Sequence, residues 1–194
     1  YLIISNADIE ILHLDLADLG NREGIIAPDI ITRNNKRQNP FNPFNSTLLN
    51  HLAYFAYKHD WKWLLFIGIC INKVLRVLFF TFKNEGRIYA SHGAFVIFSY
   101  NSLKKLVPIY NEDMFLFGEE CHLAVKASRL NIRTIYEPSI KIYHKEDGST
   151  SLLGNQYKYT KESFISFYEY WYKNKKMKVV LLAGGFGSRI SEES

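Results

Sequence analysis

Asp8 closes the run Tyr1-Leu2-Ile3-Ile4-Ser5-Asn6-Ala7-Asp8, a carboxylate set just past an apolar, β-branched stretch. Ligands bind at the C-terminal ends of strands in α/β sheets, and one Asp there can hold a divalent metal against a diphosphate, a task for hard oxygen ligands. Asn-x-Asp is equally good turn chemistry, so this segment alone leaves both readings open. Glu119 and Glu120 follow Met114-Phe115-Leu116-Phe117-Gly118 at the start of an expected helix. Either they are first-turn carboxylates favoured by the helix dipole, or one of them faces a cleft and takes the proton of an attacking hydroxyl. Adjacent helical residues point about 100° apart, so only one of the two would face a substrate. His144 ends Ile140-Lys141-Ile142-Tyr143 and leads into a polar loop with Ser149 and Thr150. A histidine there serves as a surface or capping residue, or contacts a metal or phosphate. Near the end of the chain, Gly184-Gly185-Phe186-Gly187-Ser188-Arg189 leaves an apolar run at residues 178–182. A glycine-rich turn after a buried strand offers backbone N–H groups to a triphosphate, with the Arg as a charge-assisted clamp.

The elements that must carry these residues are those of an α/β protein. The 194 residues suffice for one ordinary domain, and 47% hydrophobic against 22% charged residues exclude a disordered tail. Strands are expected at residues 1–5, buried and ending in a turn, and at 24–31, where Pro28 suggests an edge or a strand end. Residues 32–46, rich in Asn, Arg, Lys and Pro, read as an exposed loop. Residues 48–57 read as a helix capped by Ser46 or Thr47. Gly93 opens a strand through Phe98, and short helices follow at 101–106 and 121–130. Two brief strands are expected around Pro138, and then an aromatic helix that Thr160 caps.

Residues 60–83 form a helix on which Lys62, Asn72, Lys73, Arg76 and Lys83 share one narrow stripe and nearly everything else is Trp, Leu, Phe, Ile or Val. Such a helix suits a membrane interface, with Lys and Arg reaching acidic headgroups. The alternatives are a buried helix with snorkelling lysines and a dimer seam. The net charge of +5 fits an anionic partner such as phosphate, nucleotide or acidic lipid, and is too small to argue for nucleic acid. Two cysteines are too few for a disulfide scaffold, their lack of CxxC spacing argues against a structural zinc site, and a reducing compartment is the default.

Taken in order, the strand ending in Asp8, Gly-Ile-Ile-Ala-Pro-Asp-Ile from Gly24, Gly93-Ala94-Phe95, Phe117-Gly118-Glu119-Glu120 and Tyr136-Glu137-Pro138 through His144 resemble the C-terminal two-thirds of a family-2 glycosyltransferase. The fold implied is an incomplete GT-A domain, a Rossmann-like nucleotide-diphosphosugar transferase, with an inserted amphipathic helical segment at 46–83. The nearest type is the rhamnosyltransferases and related enzymes of bacterial surface-polysaccharide assembly. The resemblance covers residues 1–172 and implies that Asp8 and His144 lie at a divalent metal (Mg or Mn) and the donor diphosphate. It further implies that Gly93, Ala94 and Phe95 shape the acceptor side and that Glu120 is the base. Ala7 stands where the family has Pro, and Glu120 where it has Asp, which keeps Glu119 in play. The activity implied is inverting transfer from a nucleotide-diphosphosugar to a saccharide or lipid-linked acceptor, in the cytoplasm or peripherally at the inner face of the plasma membrane.

The family's first βαβ units would precede Tyr1, so the chain as it stands is expected not to turn over a sugar nucleotide. After a junction at 173–176, residues 177–194 resemble the start of a sugar-1-phosphate nucleotidylyltransferase, especially a glucose-1-phosphate cytidylyltransferase. That makes Gly184, Gly185, Gly187 and Arg189 nucleotide-binding and points to two neighbouring genes of one pathway joined in frame. The second function this carries is synthesis of an activated sugar. A third reading, from another class, is a non-catalytic membrane-associated module.

Overall fold

The computed structural model describes residues 1–111, 118–146 and 155–173. It is an α/β structure built on a six-stranded mixed sheet. The strands are β1 (Leu2–Ser5), β2 (Ile9–His13), β3 (Ile25–Thr32), β4 (Gly86–Ile88), β5 (Phe95–Phe98) and β6 (Thr134–His144). The helices are α1 (Leu16–Leu19), α2 (Thr47–Lys58), α3 (Lys62–Phe82), α4 (Tyr100–Leu106), α5 (Glu119–Arg129) and α6 (Gln156–Tyr168), the last running into a π-helical turn at Glu169–Lys173.

Strands follow the order β1-β5-β3-β6-β2, with β4 also on β6. Among the described strands only β3 and β6 pair in parallel; the other pairs are antiparallel. β1 and β2 thus lie at opposite ends of this path although only Asn6, Ala7 and Asp8 separate them. In a flat sheet, four strand spacings would part them by about 19 Å, and four residue steps reach only about 14 Å. The sheet must therefore curl until its two ends approach. The turn holding Asp8 closes the gap.

Alternation along the strands divides the core. Ile26, Ile30, Phe95, Ile97, Ile140 and Ile142 fill the inside of the curl, where Leu19 and Ala94 join them. Ile25, Val96 and Phe98 face the other way, onto Leu106 of α4 and Leu123 and Ala127 of α5. The far side of α5 presents Cys121 and Val125 to Tyr54 of α2 and Phe167 and Tyr168 of α6. α5 is therefore wedged between the sheet and a second helical layer, which fixes where its first turn points.

Several expectations need correction. β1 is strand, but Leu2 and Ile3 are exposed, because among the described residues β1 is an edge that pairs only with β5. β3 is central, and Pro28 occupies a bulge in its pairing with β6, where a missing N–H costs no ladder bond. The two brief strands around Pro138 are one strand, bulged at the same point. In the 32–46 loop Asn39 is fully buried, its side chain donating to the Pro28 carbonyl at 2.8 Å. Asn45 Oδ1, rather than Ser46 or Thr47, accepts the Thr47 N–H at the start of α2. Thr160 lies inside α6, its hydroxyl donating to the Gln156 carbonyl.

The stripe on α3 also differs. Asn72 donates to the Phe41 carbonyl at 3.1 Å and the Arg76 guanidinium to the Arg37 carbonyl, so these two polar side chains point at the protein and away from any headgroup. Phe79 is buried beside them against Ala27, Ile88 and Tyr136. Among the described residues, α3 is the helix long and apolar enough, by length and composition, to cross a membrane.

Candidate functional site

β3 and β6 run in parallel, and β5 runs against β3 with Ile25 opposite Phe98. The start of β5 therefore sits at the same rim as the ends of β3 and β6. β1 pairs Ser5 with Phe95, which brings its end to that rim too. Asp8, Gly93 and His144 come from segments far apart in sequence and meet there because the topology delivers strand ends of the right polarity.

The contacts form a continuous chain. Ile9 lies opposite His144 in the β2–β6 ladder, and the Lys145 N–H donates to the Asp8 carbonyl at 3.0 Å. This leaves Asp8 Oδ2 3.2 Å from His144 Nε2. The other imidazole nitrogen, Nδ1, is 2.8 Å from Gln38 Oε1. Gln38 is oriented by its amide, which donates to Glu146 Oε1 at 3.1 Å, so its oxygen faces the histidine and Nδ1 must carry a proton. Nε2 is then either a second N–H aimed at the carboxylate or a lone pair free for a cation that Asp8 shares.

The ring of His92 lies 6.1 Å from that of His144. The Ala94 N–H donates to His92 Nδ1 at 3.1 Å, which sets the proton on Nε2, and the His92 N–H donates to Asn39 Oδ1 at 2.7 Å. Burial, helped by His144, pushes the His92 imidazole down to about 4, so at neutral pH it is an uncharged donor. Next along the chain, the Gly93 N–H donates to Glu120 Oε1 at 3.4 Å. A Cβ on Gly93 would stand 3.3 Å from that same oxygen, so the glycine is what lets the carboxylate approach.

Glu120 is half-buried in the first turn of α5, which begins after Gly118 in the left-handed region at φ 90°. Burial raises its pKa above the ordinary carboxylate value, and the N–H groups of its own backbone and of Gly93 oppose the shift. Burial also raises Glu119, with repulsion from Glu120 adding to it. Nearby Tyr110 is pushed up to about 12 by burial and then by these two carboxylates, so its hydroxyl keeps its proton. The rim thus offers a carboxylate–imidazole pair, a neutral imidazole donor and a carboxylate of raised basicity.

No family model, curated protein or solved structure matches this chain. What the arrangement can do therefore has to be argued from the side chains themselves.

Of the residues singled out in the sequence, Asp8, His144, Gly93 and Glu120 join one run of contacts. Glu119 lies beside Glu120. Ala94 and Phe95 do not line an opening: both side chains are buried inside the curl, and only Gly93 of that trio borders Glu120. Ser149, Thr150, Gly184, Gly185, Gly187 and Arg189 lie outside the described residues. Nothing in the sequence singles out His92, Gln38 or Asn39: His92 adjoins Gly93, whereas Asn39 belongs to a segment whose composition reads as solvent-exposed.

The described residues contain no cluster of three or more His, Cys, Asp or Glu side chains suited to a metal ion. The pair itself fits one. Two donors bound cis to a cation at about 2.1–2.2 Å stand about 3 Å apart, close to the 3.2 Å between Asp8 Oδ2 and His144 Nε2. A cation held by two protein ligands keeps its other positions for water and phosphate oxygens, a usual arrangement at diphosphate sites.

Proposed function

We propose that the rim is the catalytic edge of an inverting glycosyltransferase that uses a nucleotide-diphosphosugar and a divalent metal. The observation that supports this reading is the run that joins Asp8, His144 and His92 by side-chain contacts and reaches Glu120 through Gly93, the neighbour of His92 in the chain. Asp8 and His144 would hold the metal, which supplies charge stabilisation on the departing diphosphate when bound. Gln38 and Glu146 fix the His144 ring for that purpose. His92 offers an N–H to a phosphate or sugar oxygen.

Glu120 is the favoured base, with Glu119 as the alternative. The acceptor hydroxyl gives its proton to the carboxylate while its oxygen bonds to the anomeric carbon. The bond from that carbon to the diphosphate oxygen breaks on the opposite face, the electron pair leaves with the diphosphate, and the configuration inverts. A base pushed above the usual carboxylate range by burial is better matched to a hydroxyl proton. The acceptor is a saccharide or a lipid-linked saccharide.

Calorimetric titration of the chain with pyrophosphate and with uridine, guanosine and thymidine diphosphates, with and without Mn²⁺, tests the reading. Binding is expected only with the metal, and Asp8→Ala or His144→Ala should weaken it at least tenfold. Binding that needs no metal, or that survives both substitutions, would remove the basis for sugar transfer.

A further inference from the structure

We propose that α3 lies flat in the headgroup–acyl boundary of an anionic membrane, with its outer face inserted and its inner face on the protein body. This is independent of the sugar-transfer reading and rests on how the helix is oriented. Its outer face carries Trp63, Phe66, Ile67, Val74, Val77 and Leu78, and Phe82 at its end is 78% exposed. Polar residues of amphipathic helices ordinarily face water and apolar ones the core. Here Asn72 and Arg76 are turned inward onto the carbonyls of Phe41 and Arg37, and the apolar face is turned out. Within the described residues nothing covers it.

The contacts of the inner face decide between lying and spanning. The helix is ~30 Å long, enough to cross a bilayer. Crossing would strip Asn72 and Arg76 from their carbonyls and Phe79 from Tyr136 and Ile88, leaving a guanidinium and an amide unpaired in hydrocarbon. Lying flat keeps every one of these contacts. The ends suit an interface too: Trp61 and Trp63 stack with ring centroids 6.2 Å apart at one end.

Charge selects the partner. No acidic residue occurs between Asp60 and Glu85, while Lys62, Lys73 and Lys83 are exposed along and beside the helix. An anionic lipid surface complements that pattern. A second copy does not: two α3 helices paired antiparallel about their midpoints would bring their Lys73 ammonium groups together.

Flotation of the full chain with vesicles of phosphatidylcholine alone, and of phosphatidylcholine mixed with phosphatidylglycerol, tests the proposal. The chain should float with the mixed vesicles and its tryptophan emission should shift to the blue. Val74→Glu with Val77→Glu, both at exposed positions, should cut the bound fraction at least tenfold while far-ultraviolet circular dichroism stays unchanged. Lys73→Glu, a change of two charges, should weaken binding to the mixed vesicles at least fivefold. A natively folded chain that floats with neither vesicle overturns the proposal. So does a dimer that the Val74→Glu, Val77→Glu variant dissociates with no vesicle binding by the parent, which would assign the face to a second copy. Equal binding to both vesicles with no effect of Lys73→Glu overturns the anionic preference.

Discussion

Burial pushes the Glu120 carboxyl above its usual range, and the fold retains it at the rim although a neutral side chain would sit there more comfortably. With the folded pKa raised, the stability this residue allows is fully present below the ordinary glutamate pKa and is lost as pH rises through the raised value. Glu120→Gln keeps the oxygen that accepts the Gly93 N–H and carries no charge at any pH. The variant should therefore melt about 2–4 °C above the parent at neutral pH, and the difference should vanish once the pH falls below the ordinary carboxylate range. Thermal scans of both proteins across pH check this. A parent as stable as the variant at neutral pH would mean that the carboxylate is well solvated and is no poised base. A gain in stability from removing a charged group marks a position kept for chemistry at the expense of the fold.

α5 and the turn that follows α6 meet through a third histidine, His122, outside the run of rim contacts. The Trp171 indole N–H donates to His122 Nδ1 at 3.0 Å, and the Arg129 guanidinium lies 4.5 Å from the centroid of the same indole. Burial, with Lys126 adding to it, pushes His122 down to about 4 from an ordinary 6.5. Its folded pKa is depressed, so the stability it brings is present above 6.5 and is lost as pH falls toward 4. His122→Gln keeps an acceptor for the indole and removes the titration. It should flatten the acid loss of stability over that range by about 1–3 kcal/mol in urea titrations. An unchanged slope would show that the histidine is solvated in the fold. Neither partner of this contact was legible in the sequence, since nothing local places Trp171 beside His122. What was legible followed period and punctuation: the unbroken apolar run of Phe95 to Phe98 after Gly93, the apolar repeat of 48–57, the glycine before Glu119. Pro28 misled because a bulge in a central strand tolerates proline as well as an edge does, and bulges depend on the partner strand. Periodicity puts Lys62, Asn72, Lys73, Arg76 and Lys83 of α3 on one stripe, but the fold turns Asn72 and Arg76 onto the body and leaves the lysines exposed, and which side of a helix meets the body is a tertiary choice that periodicity cannot make.

At the scale of the whole molecule, one loop ties the apolar helix to the rim. Arg37 and Phe41 give their carbonyls to Arg76 and Asn72 of α3, and between them Gln38 holds His144 and Asn39 holds the His92 backbone. Side chains that orient the candidate metal pair thus stand on a backbone segment clamped from α3. Removing the clamp should loosen the rim without touching it. Asn72→Ala with Arg76→Ala is expected to weaken Mn²⁺-dependent diphosphate binding about tenfold, the order seen when second-sphere support for a ligand is lost. Val74→Glu with Val77→Glu, on the opposite face of the same helix, should leave that binding unchanged in the absence of vesicles. Calorimetry on the two double variants separates the outcomes. Equal affinities in both would mean that the rim holds the loop in place by itself, through Asn39 on Pro28 and Gln38 on Glu146. If the clamp does matter, anything that seats α3 more firmly on the body will favour the ordered loop. A membrane pressing on its outer face and a diphosphate at the rim would then strengthen each other's binding, since linkage between two sites is reciprocal.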